Sequence, residues 1–287
     1  RKVILIVALN TINRRGAVLK VVPADTESFQ IHFEAFEEML NDQVMAVLIN
    51  SPNNPSGVVY SEETIRTLAQ ILNRKQEEYG HDIFLISDEP YREIVFDGKS
   101  APYVSRYYDN TISCYSFSKS LSLPGERIGY VAVNPACREA ETIVNMCGQI
   151  SRGTGHNCPP SLIQLAVAEV IDQTADLSVY ETNMKLLYDC LVKLGFTCVR
   201  PGGTFYIFPK ALEEDANAFC RKALAYDLIL VPGDTISLIG TTSLRIDYNE
   251  IDDNRVTAEE VDILLREGEK LAPVMAKTRI LRAYSGV

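Results

Sequence analysis

The stretch Thr111-Ile112-Ser113-Cys114-Tyr115-Ser116-Phe117-Ser118-Lys119-Ser120 runs from a β-forming segment straight into hydroxyls gathered around one lysine. Thr111–Ser116 reads as a strand, and ligands of open α/β sheets bind beyond the carboxyl ends of such strands. A lysine held there among small polar groups can form a Schiff base with a carbonyl, provided its pKa is lowered. Ser116, Ser118, Ser120 and Ser122 supply the hydroxyls, and Arg127 follows eight residues after Lys119. Serine hydroxyls and a guanidinium fork together suit a phosphate. Taken alone, a lysine in a serine-rich loop is more often a solvated surface residue. The neighbouring segments decide the reading.

Outward from this stretch, the first half of the chain alternates short apolar runs with helical patterns. That is the signature of an α/β fold, a mostly parallel sheet with helices on both faces. Expected strands are Val3–Ala8, Leu19–Val22, Ala46–Asn50, Ile83–Ser87, Thr111–Ser116 and Ile128–Val133. Their apolar character suits strands buried on both faces. Phe33–Leu40 reads as a short helix. Ser61 caps a longer one that turns Ile65, Leu68, Ile71 and Leu72 inward and ends at Gly80.

A large domain is expected over residues 1–170 and a smaller α+β domain over 171–287. The second region opens on a helix in which Leu177, Tyr180, Met184, Leu187, Tyr188, Leu191 and Leu194 recur at helical spacing, with Gly195 as its stop. Strand signals follow at Thr197–Arg200, Thr204–Phe208, Leu228–Val231 and Ser243–Tyr248, and a helix near Ala216–Leu224. Thr257 with Glu260 makes a capping box for a last helix through Lys270.

Two more strand ends carry polar sequence. Ala46–Asn50 leads into Ser51-Pro52-Asn53-Asn54-Pro55-Ser56-Gly57, where Asn54 is either a turn residue or an amide aimed at a ligand oxygen. Ile83–Ser87 leads into Asp88-Glu89-Pro90-Tyr91. Asp88 is either a helix cap or a functional carboxylate that could keep a pyridine nitrogen protonated. Tyr91, three residues on, could reach the same ligand, or could bond elsewhere as a partly buried tyrosine.

The net charge of −10 argues against nonspecific affinity for nucleic acid or an anionic membrane. No apolar run reaches the length of a membrane span. The seven cysteines show no C-x-x-C spacing and read as free thiols in a reducing compartment, so a cytoplasmic location is expected. The three histidines lie far apart in sequence, which speaks against a histidine metal site.

In combination these segments resemble the class I/II aminotransferases, the fold-type I pyridoxal-phosphate enzymes. The resemblance rests on Asn54-Pro55-Ser56-Gly57, on Asp88-x-x-Tyr91, and above all on Ser116-Phe117-Ser118-Lys119 followed by Leu123-Pro124-Gly125-Glu126-Arg127-Ile128-Gly129-Tyr130. Gly203-Thr204-Phe205-Tyr206 and Ser243-Leu244-Arg245-Ile246 add to it, and it spans roughly residues 17 to 270. It implies that Lys119 carries pyridoxal 5′-phosphate and shuttles the proton, while Asp88 pairs with the pyridine nitrogen. Tyr91 and Asn54 would bond the phenolic oxygen, Ser116, Ser118 and Arg127 the phosphate, and Arg245, with Asn54 nearby, the substrate.

The implied activity is transfer of an amino group between an L-amino acid and a 2-oxo acid by a homodimer, with an aspartate-type preference as one form of it. A carbon–sulfur β-lyase on the same scaffold and a non-catalytic remnant are the alternatives. Family members carry further residues upstream, including a phosphate-binding turn, so the large domain is expected to be incomplete at its N-terminus. Their stacking aromatic has no counterpart in Leu9–Arg15.

Overall fold

Short runs of branched and apolar residues form the centre of the molecule. They are β1 (Val3–Ile6), β2 (Val18–Val21), β3 (Val44–Asn50), β4 (Phe84–Asp88), β5 (Thr111–Ser116) and β6 (Gly129–Val133). The structure, a computed structural model, describes residues 3–6, 18–226, 228–232 and 237–238. The six strands pair in the order β2-β1-β3-β4-β5-β6. Every pair is parallel except the last, β5 with β6. The parallel register sets Asn50 opposite Asp88 and Asp88 opposite Cys114, so β3, β4 and β5 end side by side.

Helices α1 (Phe33–Met39) and α2 (Glu62–Tyr79) pack on this sheet. The Ser61 Oγ accepts from the Thr64 amide at 3.0 Å, filling one of the open donors at the start of α2. Gly80 ends the helix at φ 71°, a left-handed conformation that glycine adopts without steric cost. Between these ends Ile65, Leu68, Ile71 and Leu72 are buried together with Val47, Ile49, Ile83 and Leu85 of the sheet region.

After β5 the chain makes one turn of helix, α3 (Phe117–Ser120), and then a short 3-10 turn into β6. Two helices follow that were not among those expected, α4 (Ala140–Gly153) and α5 (Ser161–Glu169). The expected long helix is present as α6 (Ser178–Lys193).

Its apolar stripe sets the limits of the folded units. Met184 is buried with Tyr91, Ile94, Phe96 and Ile207, and Tyr180, Leu187, Tyr188 and Leu191 pack around them. This helix therefore belongs to the sheet-containing unit, which spans Arg1–Lys210, and the second unit is Ala211–Val287. The compact units divide at that point. Thr197–Arg200 and Thr204–Phe208 are not strands. Within them only Cys198 takes part in a β-bridge, an isolated one to Pro209, and the neighbouring Gly203 makes another to Val95. Pro201-Gly202-Gly203 interrupts the extension, and Thr204 takes a φ of 63°.

In the second unit, α7 (Ala216–Leu224) starts at Asp215, whose carboxylate accepts from the Ala218 amide at 3.0 Å. A two-stranded antiparallel pair follows, β7 (Val231–Pro232) and β8 (Ser237–Leu238). The strand expected at Ser243–Tyr248 and the helix from Thr257 lie outside the described residues. Among the described residues, no helix is long and apolar enough to cross a membrane, and no group of side chains could hold a metal ion.

Candidate active site

The register of the sheet brings three polar strand ends to one place. Asn50 closes β3 and is 1% exposed. A buried amide must find partners, and Asn50 finds them across the strand boundary. Its Nδ2 donates to the Asp88 carbonyl at 3.0 Å and to the Asp88 Oδ2 at 3.1 Å. Its Oδ1 accepts from the Asn54 amide nitrogen at 2.7 Å. One side chain thus fixes both the carboxylate at the end of β4 and the turn after β3. Gly57, at φ 72°, completes that turn, and its amide donates to the Asn53 carbonyl at 2.9 Å.

Asp88 is partly buried, and loss of water pushes its pKa up while the bond from Asn50 pulls it down. Among the described residues its second carboxylate oxygen has no hydrogen-bond partner. A desolvated carboxylate with one free oxygen suits a cationic donor.

Asn54 Nδ2 lies 3.5 Å from the Tyr91 hydroxyl, which in turn lies 3.0 Å from the Tyr206 hydroxyl. The Tyr91 ring meets Phe205 and Tyr206 edge-on, with centroids 5.5 and 5.6 Å apart. Burial, and then the bond to Tyr206, push the Tyr91 phenol far above its ordinary range, so it stays protonated.

Lys119 sits on α3 with its Nζ 5.9 Å from the centre of the Tyr91 ring and 5.4 Å from that of Phe205. Burial lowers its pKa, and the nearby Arg127 guanidinium lowers it further. Both effects favour the neutral amine that attacks a carbonyl. Ser116 caps α3: its Oγ accepts from the Ser118 amide at 3.2 Å and donates to the Ser118 Oγ at 2.6 Å. Arg127 reaches the same end of β5 because Gly129 pairs with Ser116 across the antiparallel ladder. It takes a left-handed φ of 50° and donates to the Pro124 carbonyl at 2.8 Å. Gly129 has to be glycine, since a Cβ there would stand 2.2 Å from the Tyr115 carbonyl oxygen.

The structure therefore gathers Asn54, Asp88, Tyr91, Ser116, Ser118, Lys119 and Arg127 at the carboxyl ends of β3, β4 and β5 and the adjoining turns. Arg245 and Leu9–Arg15 lie outside the described residues. Three contributors had no role assigned from sequence: Asn50, Phe205 and Tyr206. Asn50 was visible as the polar last residue of an apolar strand, and Phe205-Tyr206 as part of the Gly203–Tyr206 motif. The donor set fits pyridoxal phosphate: a lysine whose pKa burial lowers, a carboxylate short of one partner among the described residues, phenol and amide donors, and hydroxyls with a guanidinium for a phosphate.

The family model for aminotransferase class I and II matches residues 9–261. The chain belongs to that family. Class I/II aminotransferases depend on pyridoxal phosphate. A crystal structure of an aminotransferase from Eubacterium rectale is 48% identical, with a TM-score of 0.78, over 83% of this chain and 62% of that one. The aspartate aminotransferase of Bacillus subtilis is 30% identical over 236 residues, 76% of this chain and 57% of that protein. The chain thus spans little more than half the length of such relatives.

A different likeness is confined to 85 residues, 30% of the chain. They are 76% identical to part of one polypeptide of the anaerobic glycerol-3-phosphate dehydrogenase of Escherichia coli, 16% of whose length is matched. So small a share carries no family assignment, which rests on the longer matches.

Proposed function

We propose that this aminotransferase-family chain uses pyridoxal phosphate on Lys119 to move an amino group between an L-amino acid and a 2-oxo acid. The observation that carries the reading is the convergence of Lys119, Asp88, Tyr91 and Asn54 on one end of the sheet. When bound, the cofactor supplies a carbonyl that links to amines and a ring that takes up the electron pair released at the α-carbon.

This chain's residues do the rest. Asp88 holds a proton on the ring nitrogen. Tyr91 and Asn54 donate to the phenolic oxygen. Ser116, Ser118 and Arg127 hold the phosphate, and charge-assisted bonds make that grip strong. Lys119, its pKa lowered, takes the proton from the substrate's α-carbon and returns it one position along. Phe205 and Tyr91 flank the lysine and limit water around it. Asn54 also faces the substrate. Assignment of the α-carboxylate to Arg245, and of an aspartate-type preference, rests on the family resemblance alone. Homodimer formation completes the proposal, and free cysteines fit a cytoplasmic location.

The test is to add pyridoxal phosphate to the purified chain, reduce with borohydride and map the modified peptide by mass spectrometry. Stoichiometric label on Lys119, absent in Lys119→Ala, is expected. Label scattered over surface lysines would sink the reading. With the label in place, glutamate formed from 2-oxoglutarate and an amino donor marks transamination. Pyruvate and ammonia from a cysteine thioether would mark a β-lyase instead.

A further inference from the structure

Tyr206 is held where it is by backbone. The amides of Gly202 and Gly203 donate to the Gly57 carbonyl at 2.9 and 3.0 Å. The Thr204 amide donates to the Ile94 carbonyl at 2.8 Å, and the Phe96 amide to the Gly202 carbonyl at 2.9 Å. Neither Gly57 nor Gly203 can be replaced at this crossing. A Cβ on Gly57 would stand 2.5 Å from the Tyr206 carbonyl oxygen, and one on Gly203 would stand 2.4 Å from that of Ile94. Thr204 is fully buried, and its Oγ1 accepts from the Tyr206 amide at 3.0 Å. The turns after β3 and β4 thus clamp the 202–206 segment and fix the Tyr206 phenol 3.0 Å from that of Tyr91.

A phenol has one hydrogen to give and two lone pairs to fill. Asn54 Nδ2 can only donate, so it takes one lone pair of Tyr91. Tyr206 has no other hydrogen-bond partner for its hydroxyl among the described residues. Once an anionic oxygen accepts the hydrogen of Tyr91, Tyr206 has to donate, and it fills the second lone pair. Tyr91 then points its hydrogen outward with no competing acceptor, and two accepted bonds polarise its O–H into a stronger donor.

We propose that Tyr206 is a positioning residue that turns the Tyr91 hydroxyl toward the phenolic oxygen of bound pyridoxal phosphate and strengthens its donation. This rests on the reading above, in which Tyr91 faces that oxygen. Donation disperses negative charge on the phenolic oxygen, and that charge is what holds a proton on the neighbouring lysine–cofactor nitrogen. Weakening the donor therefore raises the pH at which this proton leaves.

The test compares wild type, Tyr206→Phe, Tyr91→Phe and the double variant, each loaded with pyridoxal phosphate and titrated by visible absorbance. Tyr206→Phe removes one oxygen from a half-buried ring, and equal melting midpoints confirm the fold. Its absorbance midpoint should rise by roughly half a pH unit, the scale of one altered hydrogen bond. Its dissociation constant for pyridoxal phosphate should rise about fivefold. In the Tyr91→Phe background the same substitution should change neither quantity. An unmoved midpoint in Tyr206→Phe, or an equal shift without the Tyr91 hydroxyl, overturns the positioning role alone. A wild-type chain that develops no visible band overturns the cofactor reading and this inference with it.

Discussion

At Asp88 the demands of folding and of the site pull in opposite directions. Burial raises its pKa, so in the ligand-free protein the ionised carboxylate is disfavoured, and among the described residues Asn50 alone offsets the loss of water. A raised carboxylate pKa contributes stability that is full below the ordinary range and fades as pH rises through the folded value. Asp88→Asn removes that titration and keeps an oxygen for Asn50. The ligand-free variant should therefore melt higher than wild type at pH 7, with the gain vanishing toward pH 4. It should also bind pyridoxal phosphate at least tenfold more weakly, a loss of about 1.4 kcal/mol or more. Thermal denaturation from pH 4 to 8 reads the first effect, and a lower melting point at pH 7 would contradict it.

Lys119, Asp88 and Tyr91 were legible in the sequence because each stands at the end of a strand that its own neighbours announce. Asn50 and Tyr206 were not. Their roles come from strand register and from a clamp between segments more than a hundred residues apart, as with Tyr91 and Tyr206.

Elements divide along the same line. The ends of α2 were readable because Ser61 and Gly80 act on the backbone beside them. Helix α4 went unread although Ile143, Val144, Cys147 and Ile150 recur at helical spacing; no side chain caps its N-terminus, and none of its residues is buried. The segments near 197–208 show the opposite failure: β-forming residues are present, but Pro201-Gly202-Gly203 denies them a ladder. Two glycines at the element scale separate geometry from propensity. Gly148 lies within α4, and a Cβ added there would meet nothing within 4 Å, so Gly148→Ala should stabilise by about 0.8 kcal/mol through helix propensity. Gly129→Ala should destabilise by roughly 2 kcal/mol or more, because β5 and β6 must part to admit the methyl group. Parting them moves Ser116, so the pyridoxyl label on Lys119 should fall as well. Urea denaturation and peptide mapping check both, and equal behaviour of the two variants would refute the argument.

For the whole molecule, charge and periodicity left one matter unread, namely which apolar surface stays uncovered. Val144, Met146 and Ile150 of α4, Leu162 and Leu165 of α5, and Tyr130 and Val131 of β6 are all exposed. Scattered single residues would be ordinary, but this many large apolar side chains exposed on successive elements suit a surface that another copy covers. A net charge of −10 opposes indiscriminate aggregation, which favours a closed, specific pairing over open growth. Sedimentation equilibrium should therefore show a homodimer. Ile150 and Leu165 are 56% and 68% exposed, so replacing both by glutamate loses little packing within one chain. The double variant should sediment as a monomer with its melting point within about 2 °C of monomeric wild type, since surface changes of this kind lie within about 0.5 kcal/mol. A wild-type chain that stays monomeric at about 100 µM would have a pairing free energy weaker than roughly 5.5 kcal/mol, too little for a working dimer. A double variant that still dimerises would move the interface to another face of the molecule.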